Sequence, residues 1–286
     1  MVKSKWFSLK KVIILSIRLM VYLLLFVGTK KVRAVSQSVN KMRHSYTVMP
    51  TIDSSGRLLS PLFIVLQETG GVFGPIVKDG LFQAENIYVT ASVSELIGKP
   101  QLKVWLQDVL LPNVHEKAVQ MIDSWSTYKN KELLDSVMPE GQELKIVTVP
   151  PGSTGICQPL DIFFFRMWKD FVRKIWDRVV EEERDTILHL RNNVLKLQSL
   201  VHNQFSSPRY SPMWSVGWSR PGYSEQPDFK HVTPSQFCFN NEDAKLYNRC
   251  GNAGCLGKHF LTCAWCKEAH CFKCFFVDYH YCTYVN

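Results

Sequence analysis

Between Met121 and Phe165, two β-type apolar runs each give way to a loop that delivers an aspartate. The first run, Val119-Gln-Met-Ile, ends in Asp123. The second, Lys145-Ile-Val-Thr-Val, leads through Pro150-Pro-Gly to Thr154-Gly-Ile-Cys-Gln-Pro-Leu-Asp161. Short apolar runs of this length, bounded by Gly and Pro, read as buried strands. Two carboxylates at the ends of neighbouring strands are the hard oxygen donors that a divalent cation needs for phosphoryl chemistry. Each also has a plainer reading, because an aspartate that ends a strand often caps a turn or the next helix.

The flanking pattern extends the same architecture. Two β-type runs, 44–50 and 59–66, are joined by Ile52-Asp-Ser-Ser-Gly-Arg57, whose turn chemistry predicts a hairpin. Gly70-Gly71 and Gly74-Pro75 mark a loop. Leu102, Trp105, Leu106, Val109 and Leu110 share one face of a helix over 100–111, which Pro112 ends. A short helix is expected over 129–138. A long one over 162–184 carries a stripe of Phe164, Trp168, Phe171, Ile175 and Val179. Hairpin, helix, strand, helix, strand, helix is the order of an α/β domain with a mixed sheet. Residues 203–236, rich in Ser, Pro, Gly and Trp without a period, read as an irregular linker.

Charge narrows the partners. The formal net charge is +9, but residues 1–43 hold ten of the 34 Lys and Arg and no Asp or Glu. The body of the chain is therefore near neutral, and any DNA contact must use local patches. One such patch is the polar side of the 162–184 helix, with Arg166, Lys169, Arg173, Lys174 and Arg178 offset by Asp170 and Asp177. A plain solvated face is the alternative.

The N-terminal run 12–28 is apolar but broken by Arg18 and flanked by Lys and Arg. Its length is marginal for a membrane span, and a central arginine costs roughly 2.5–3.5 kcal/mol on insertion. A membrane anchor, a signal peptide for the secretory pathway, a buried or surface helix, and sequence foreign to the rest of the protein all stay open.

Eight of the nine cysteines lie between Cys238 and Cys282. Cys250-x4-Cys255, Cys263-x2-Cys266 and Cys271-x2-Cys274, with His259, His270, His280 and Cys282 nearby, have the spacing of zinc ligands. Cys266 and Cys271 are too close for sequential loops. An interleaved partition is expected instead: Cys250, Cys255, Cys271 and Cys274 on one zinc; Cys263, Cys266, Cys282 and His280 or His270 on a second. Disulfides in a secreted protein are the alternative.

The pattern Met121-Ile-Asp-Ser, Val149-Pro-Pro-Gly-Ser-Thr and Gln158-Pro-Leu-Asp161 before a long helix resembles the DDE transposase domain of the mariner/pogo group. The 45–65 hairpin resembles that domain's second and third strands. The resemblance covers roughly residues 40–185. It implies an RNase H-like fold, action on DNA phosphodiesters with Mg²⁺ or Mn²⁺, and a nuclear location. By position, Asp123 is then the second acidic ligand and Asp161 the third. The family's first aspartate, upstream of the hairpin, has no counterpart, since Asp53, Glu68 and Asp79 are misplaced for it.

The expected organisation is therefore a basic apolar segment at 1–40 and a DDE-like domain lacking its first strand at 41–185. A helix and linker follow at 186–236, then a Cys/His-rich zinc module at 237–286. The expected function is that of a truncated, catalytically impaired transposase remnant. A non-catalytic DNA- or protein-binding module of the same fold, with protein partners reached through the Cys-rich tail, is the alternative, and a membrane-anchored protein is a third.

Overall fold

The computed structural model describes residues 13–16, 19–20, 46–94, 96–123, 130–182, 185–225, 231–239 and 249–284. Its centre is a mixed sheet. The strands are β1 (Ile13–Ser16), β2 (Leu19–Met20), β3 (Tyr46–Met49), β4 (Thr51–Ile52), β5 (Leu62–Gln67), β6 (Ile87–Ser92), β7 (Lys117–Ile122) and β8 (Glu143–Thr148). β1 and β2 run antiparallel to β4 and β3 in one shared register, with Leu15 opposite Ile52 and Leu19 opposite Val48. Pro50, which has no N–H to donate, separates β3 from β4. The strands fall into two four-stranded sets, ordered β4, β1, β7, β8 and β2, β3, β5, β6. β1, β7 and β8 are mutually parallel, and β5 and β6 are parallel to each other.

Ile13-Ile-Leu-Ser lies between β4 and β7, with Ser16 opposite Ile122. Among the described residues no helix is long and apolar enough to cross a membrane. The rest of the 12–28 run lies outside the described residues.

β5, Leu-Phe-Ile-Val-Leu-Gln, is buried along nearly its whole length because helices cover both faces of the sheet. Leu62, Ile64 and Leu66 join one core with Val48 and Ile52, while Phe63 and Val65 join a second with Met49. The second core is closed by α2 (Lys99–Val104), which widens into a π-helical turn over Trp105–Leu110, and by α3 (Lys131–Val137). All five apolar positions of the 100–111 stripe are buried there. A small helix, α1 (Pro75–Asp79), lies in the loop between β5 and β6.

The first core is built on α5 (Phe165–Glu181), α6 (Arg191–Phe205) and α7 (Ser211–Ser219). Every member of the Phe164 to Val179 stripe is buried in it. Phe164 lies 5.1 Å from Trp168 and 5.0 Å from Trp214, and Trp168 lies 5.0 Å from Phe205, between ring centroids. Such contacts add about 0.5–1.5 kcal/mol each beyond the area they bury. The 203–236 linker expectation is corrected here. Met213, Trp214, Val216 and Trp218 are core residues, and Pro212 sits at the first turn of α7, where its missing N–H costs nothing. The turn before β5 docks on this helix. Gly56 has φ +81°, and a Cβ there would stand 2.5 Å from the Ser211 carbonyl oxygen.

The C-terminal segment has little secondary structure: α8 (Pro234–Phe239), β9 (Leu261–Thr262), β10 (Ala269–His270) and a π-helical turn Lys273–Val277. It packs on α5 and α6 instead of standing apart. Trp265 Nε1 donates to the Asn203 carbonyl at 2.6 Å, the Ala264 N–H donates to Gln204 Oε1 at 2.6 Å, and Asn203 Nδ2 donates to the Cys282 carbonyl at 2.8 Å.

Candidate metal and nucleic-acid site

The parallel strands β1, β7 and β8 end on the same side of the sheet, which is where open α/β sheets place their ligands. β7 ends at buried Ile122, and Asp123 follows it out of the core. The pairing continues one step beyond β8, where the Val149 N–H donates to the Ile122 carbonyl at 2.8 Å. The chain then turns at Pro150 to Ser153, with Gly152 at φ +79°, and forms α4 (Thr154–Cys157). A π-helical turn, Leu160–Phe164, carries Asp161 before α5 begins.

Gln158 ties the two aspartates together. It is fully buried. Its backbone carbonyl accepts from the N–H groups of Asp161 at 3.1 Å and Ile162 at 3.0 Å. The side-chain amide is oriented by its partners. Its nitrogen donates to Asp161 Oδ2 at 2.6 Å, and its oxygen accepts from the Asp123 N–H at 3.2 Å.

Burial, and then the negative charge of Asp123, push the Asp161 carboxyl up to about 6, with Lys169 opposing them. Two like charges brought together in a half-buried cleft favour the arrival of a cation. The donor set therefore fits a hard divalent ion, with two carboxylates. Among the described residues no third carboxylate is gathered with them into a ligand set. β1 contains none, and residues 1–43 have no Asp or Glu. Asp53 is used up in its own turn, accepting from the Ser55 and Arg57 N–H groups at 2.9 and 3.0 Å and pairing with the Arg57 guanidinium. Glu68 forms an ion pair with Arg191. Among the described residues, only the two Cys/His sets gather three or more such ligands.

The basic face expected on α5 is divided. Arg166 and Lys169 are exposed near the Asp161 end. Arg173 pairs with Asp170 at 2.6 Å. Arg178 donates to the Phe260 carbonyl at 2.5 Å, with its guanidinium 5.7 Å from the Phe239 and Phe260 rings, and Lys174 lies 5.9 Å from the Phe239 ring. Arg178 and Lys174 therefore face the C-terminal segment, not a continuous outer surface.

The cysteines gather in the interleaved partition. Cys250, Cys255, Cys271 and Cys274 form one set, and Cys263, Cys266, His280 and Cys282 the other, with all ligand atoms of a set within 4.8 Å of one another. Cys255 Sγ lies 3.7 Å from Cys271 Sγ and 3.6 Å from Cys274 Sγ. Four thiolates around a tetrahedral zinc, each at about 2.3 Å, stand roughly 3.8 Å apart, whereas a disulfide needs about 2.05 Å. All nine cysteines are free thiols.

His280 closes the second set, with Nε2 3.7 Å from Cys266 Sγ. His270 lies alongside it, ring to ring at 3.8 Å. Gly257 is required for the first set to close, because a Cβ there would meet Cys271 Sγ at 2.7 Å. A hydrogen bond from Cys266 pulls the Cys263 thiol down from its ordinary value, and the same contact pushes Cys266 up.

What the sequence did not show is the part played by Gln158 and by the α6 residues Asn203 and Gln204. Gln158 stood in a recognisable Gln-Pro-Leu-Asp run, but its bridge spans two separate segments. Asn203 and Gln204 carried no spacing signal at all.

Comparison with known families agrees with this geometry. The family model described as DDE superfamily endonuclease matches residues 84–205, and that described as Tc5 transposase C-terminal domain matches residues 218–282. No curated protein and no solved structure matches the chain. The aspartate pair lies inside the first match and both Cys/His sets inside the second, so these two regions are similar to a DDE superfamily endonuclease domain and a Tc5 transposase C-terminal domain, which is consistent with a transposase-derived protein.

Proposed function

We propose that this protein is a nuclear DNA-binding protein whose Asp123 and Asp161 hold Mg²⁺ or Mn²⁺, and whose strand-cleaving activity is impaired by the lack of a first acidic ligand. The observation that carries this reading is the Gln158 bridge, which brings the two carboxylate-bearing segments together at the ends of the parallel strands. A divalent ion held there would polarise a phosphoryl oxygen and activate a water or a 3′-hydroxyl. Asp123 and Asp161 would supply its oxygen ligands. Lys169, and with it Arg166, would draw the phosphate backbone toward this end of α5. With two carboxylates in place of three, the ion is bound more weakly and oriented less firmly than a full triad allows.

The two Cys/His sets would hold one Zn²⁺ each. Their thiols and imidazole have the softness and tetrahedral spacing that zinc prefers. Loss of catalysis with retention of fold favours a role in DNA or protein binding. The Cys-rich segment would then serve partners through the surface it leaves open, including Leu256, which is 84% exposed.

The reading is tested by titrating Mn²⁺ into the zinc-loaded full chain, followed by electron paramagnetic resonance. One weak Mn²⁺ site that disappears in Asp161→Ala is expected. Mn²⁺ binding unchanged by Asp123→Ala and Asp161→Ala contradicts it.

A further inference from the structure

From this geometry we infer that Gln158 is a positioning residue for the cation site: its single amide sets the separation of Asp123 and Asp161 and decides which Asp161 oxygen faces the ion. The inference rests on the cation site proposed above and adds a residue that touches no ion itself.

Three observations carry it. Gln158 has no exposed surface, so its amide cannot satisfy itself with water and must find protein partners. It finds one on each side of the site: Asp161 Oδ2 at 2.6 Å and the Asp123 N–H at 3.2 Å. Its own carbonyl also receives the Asp161 N–H at 3.1 Å, so Asp161 is held to one residue by both its backbone and its carboxylate.

The chemistry follows from the donor inventory. An amide offers a donor and an acceptor a fixed distance apart, and this site needs a donor for a carboxylate and an acceptor for an N–H. The bond to Oδ2 occupies one oxygen and leaves Oδ1 as the freer oxygen for a cation. The bond to the Asp123 N–H anchors the chain where it leaves β7, so the second carboxylate is presented from a fixed backbone. Packing alone would not need the polar ends, because an apolar side chain of the same length would fill the same space.

Partners of metal ligands that act in this way typically change metal affinity by about 10–100-fold when removed. The test uses Gln158→Met, which keeps length and volume but loses both bonds. Gln158→Asn is its companion, keeping an amide one methylene too short to span both partners. Mn²⁺ affinity is measured by electron paramagnetic resonance in the zinc-loaded full chain, beside thermal melting.

The expected result is Mn²⁺ binding at least about tenfold weaker in whichever variant melts cooperatively, with an altered Mn²⁺ spectrum. A folded variant that binds Mn²⁺ like the wild type overturns the inference, even if its melting temperature falls, because Gln158 would then be only structural. Wild-type Mn²⁺ binding that survives the double substitution Asp123→Asn with Asp161→Asn overturns the cation site itself, and this inference with it.

Discussion

Gln204 Nε2 donates to Cys263 Sγ at 3.5 Å, so the last turn of α6 in the nuclease-type domain is hydrogen-bonded to a member of the second Cys/His set. The Ala264 N–H returns a bond to Gln204 Oε1 at 2.6 Å, and the Cys282 N–H donates to Asn203 Oδ1 at 3.4 Å. The metal set and the helix therefore order one another. The C-terminal segment is part of the domain's wall as well as a metal module.

Chelation is accordingly expected to affect the whole protein. Stripping zinc at neutral pH should release two equivalents per chain and lower the main cooperative melting transition, because binding free energy at such sites is folding free energy. Elemental analysis beside near-ultraviolet circular dichroism measures both. Loss of zinc with the main transition unmoved would show the segment to be an independent appendage.

Gly257→Ala should remove one zinc and spare the other. Its Cβ would sit 2.7 Å from Cys271 Sγ, within the first set only. One equivalent retained out of two is the expected count by elemental analysis, and two retained would contradict the close approach.

The α5 cations should separate by function. Arg178→Ala loses the bond to the Phe260 carbonyl and its ring contacts, and should cost stability on the order of 1–3 kcal/mol by denaturant titration. Arg166→Ala and Lys169→Ala, both exposed, should leave stability within about 0.5 kcal/mol. Each should instead reduce the salt slope of DNA binding by about one unit.

Two buried or half-buried groups predict opposite responses to acid. Burial pushes His202 down to about 4, while it accepts no charge partner beside Leu59 and Asn86. A depressed histidine is neutral in the fold, so its contribution is full above about 6.5 and is lost as pH falls toward 4, by about 3 kcal/mol. Asp161, raised to about 6 from 3.8, works the other way in the metal-free protein: stability falls as pH rises from 4 to 6. Asp161→Asn should therefore raise the melting temperature of the Mn²⁺-free protein at pH 7.5 and leave it nearly unchanged at pH 3.5. His202→Gln should flatten the loss between pH 6.5 and 4.

Much of this was legible beforehand, for physical reasons that differ by element. The helical stripe from Phe164 to Val179 and the strand ending at Ile122 announced themselves by period and by apolar run. The cysteine partition followed from spacing, because Cys266 and Cys271 lie too close to close separate loops. Three features escaped. β1 was hidden because Ile13-Ile-Leu-Ser sits inside a longer apolar run that also left a membrane span open, and only its partners β4 and β7 identify it. α7 was hidden by a Ser-, Pro-, Gly- and Trp-rich composition that imitates a linker, although Trp214 and Trp218 are core residues. The α5 basic face looked continuous because helical period says nothing of Phe239 and Phe260, which come from distant segments and engage Arg178.

The central claim is that Asp123 and Asp161 form a cation site too incomplete for efficient DNA cleavage. Its most direct test is Mn²⁺-dependent nicking of supercoiled plasmid by the zinc-loaded full chain, beside Asp123→Ala. The account predicts no nicking above background that the substitution removes. Robust Mn²⁺-dependent nicking by the wild type, abolished in Asp123→Ala, would contradict it.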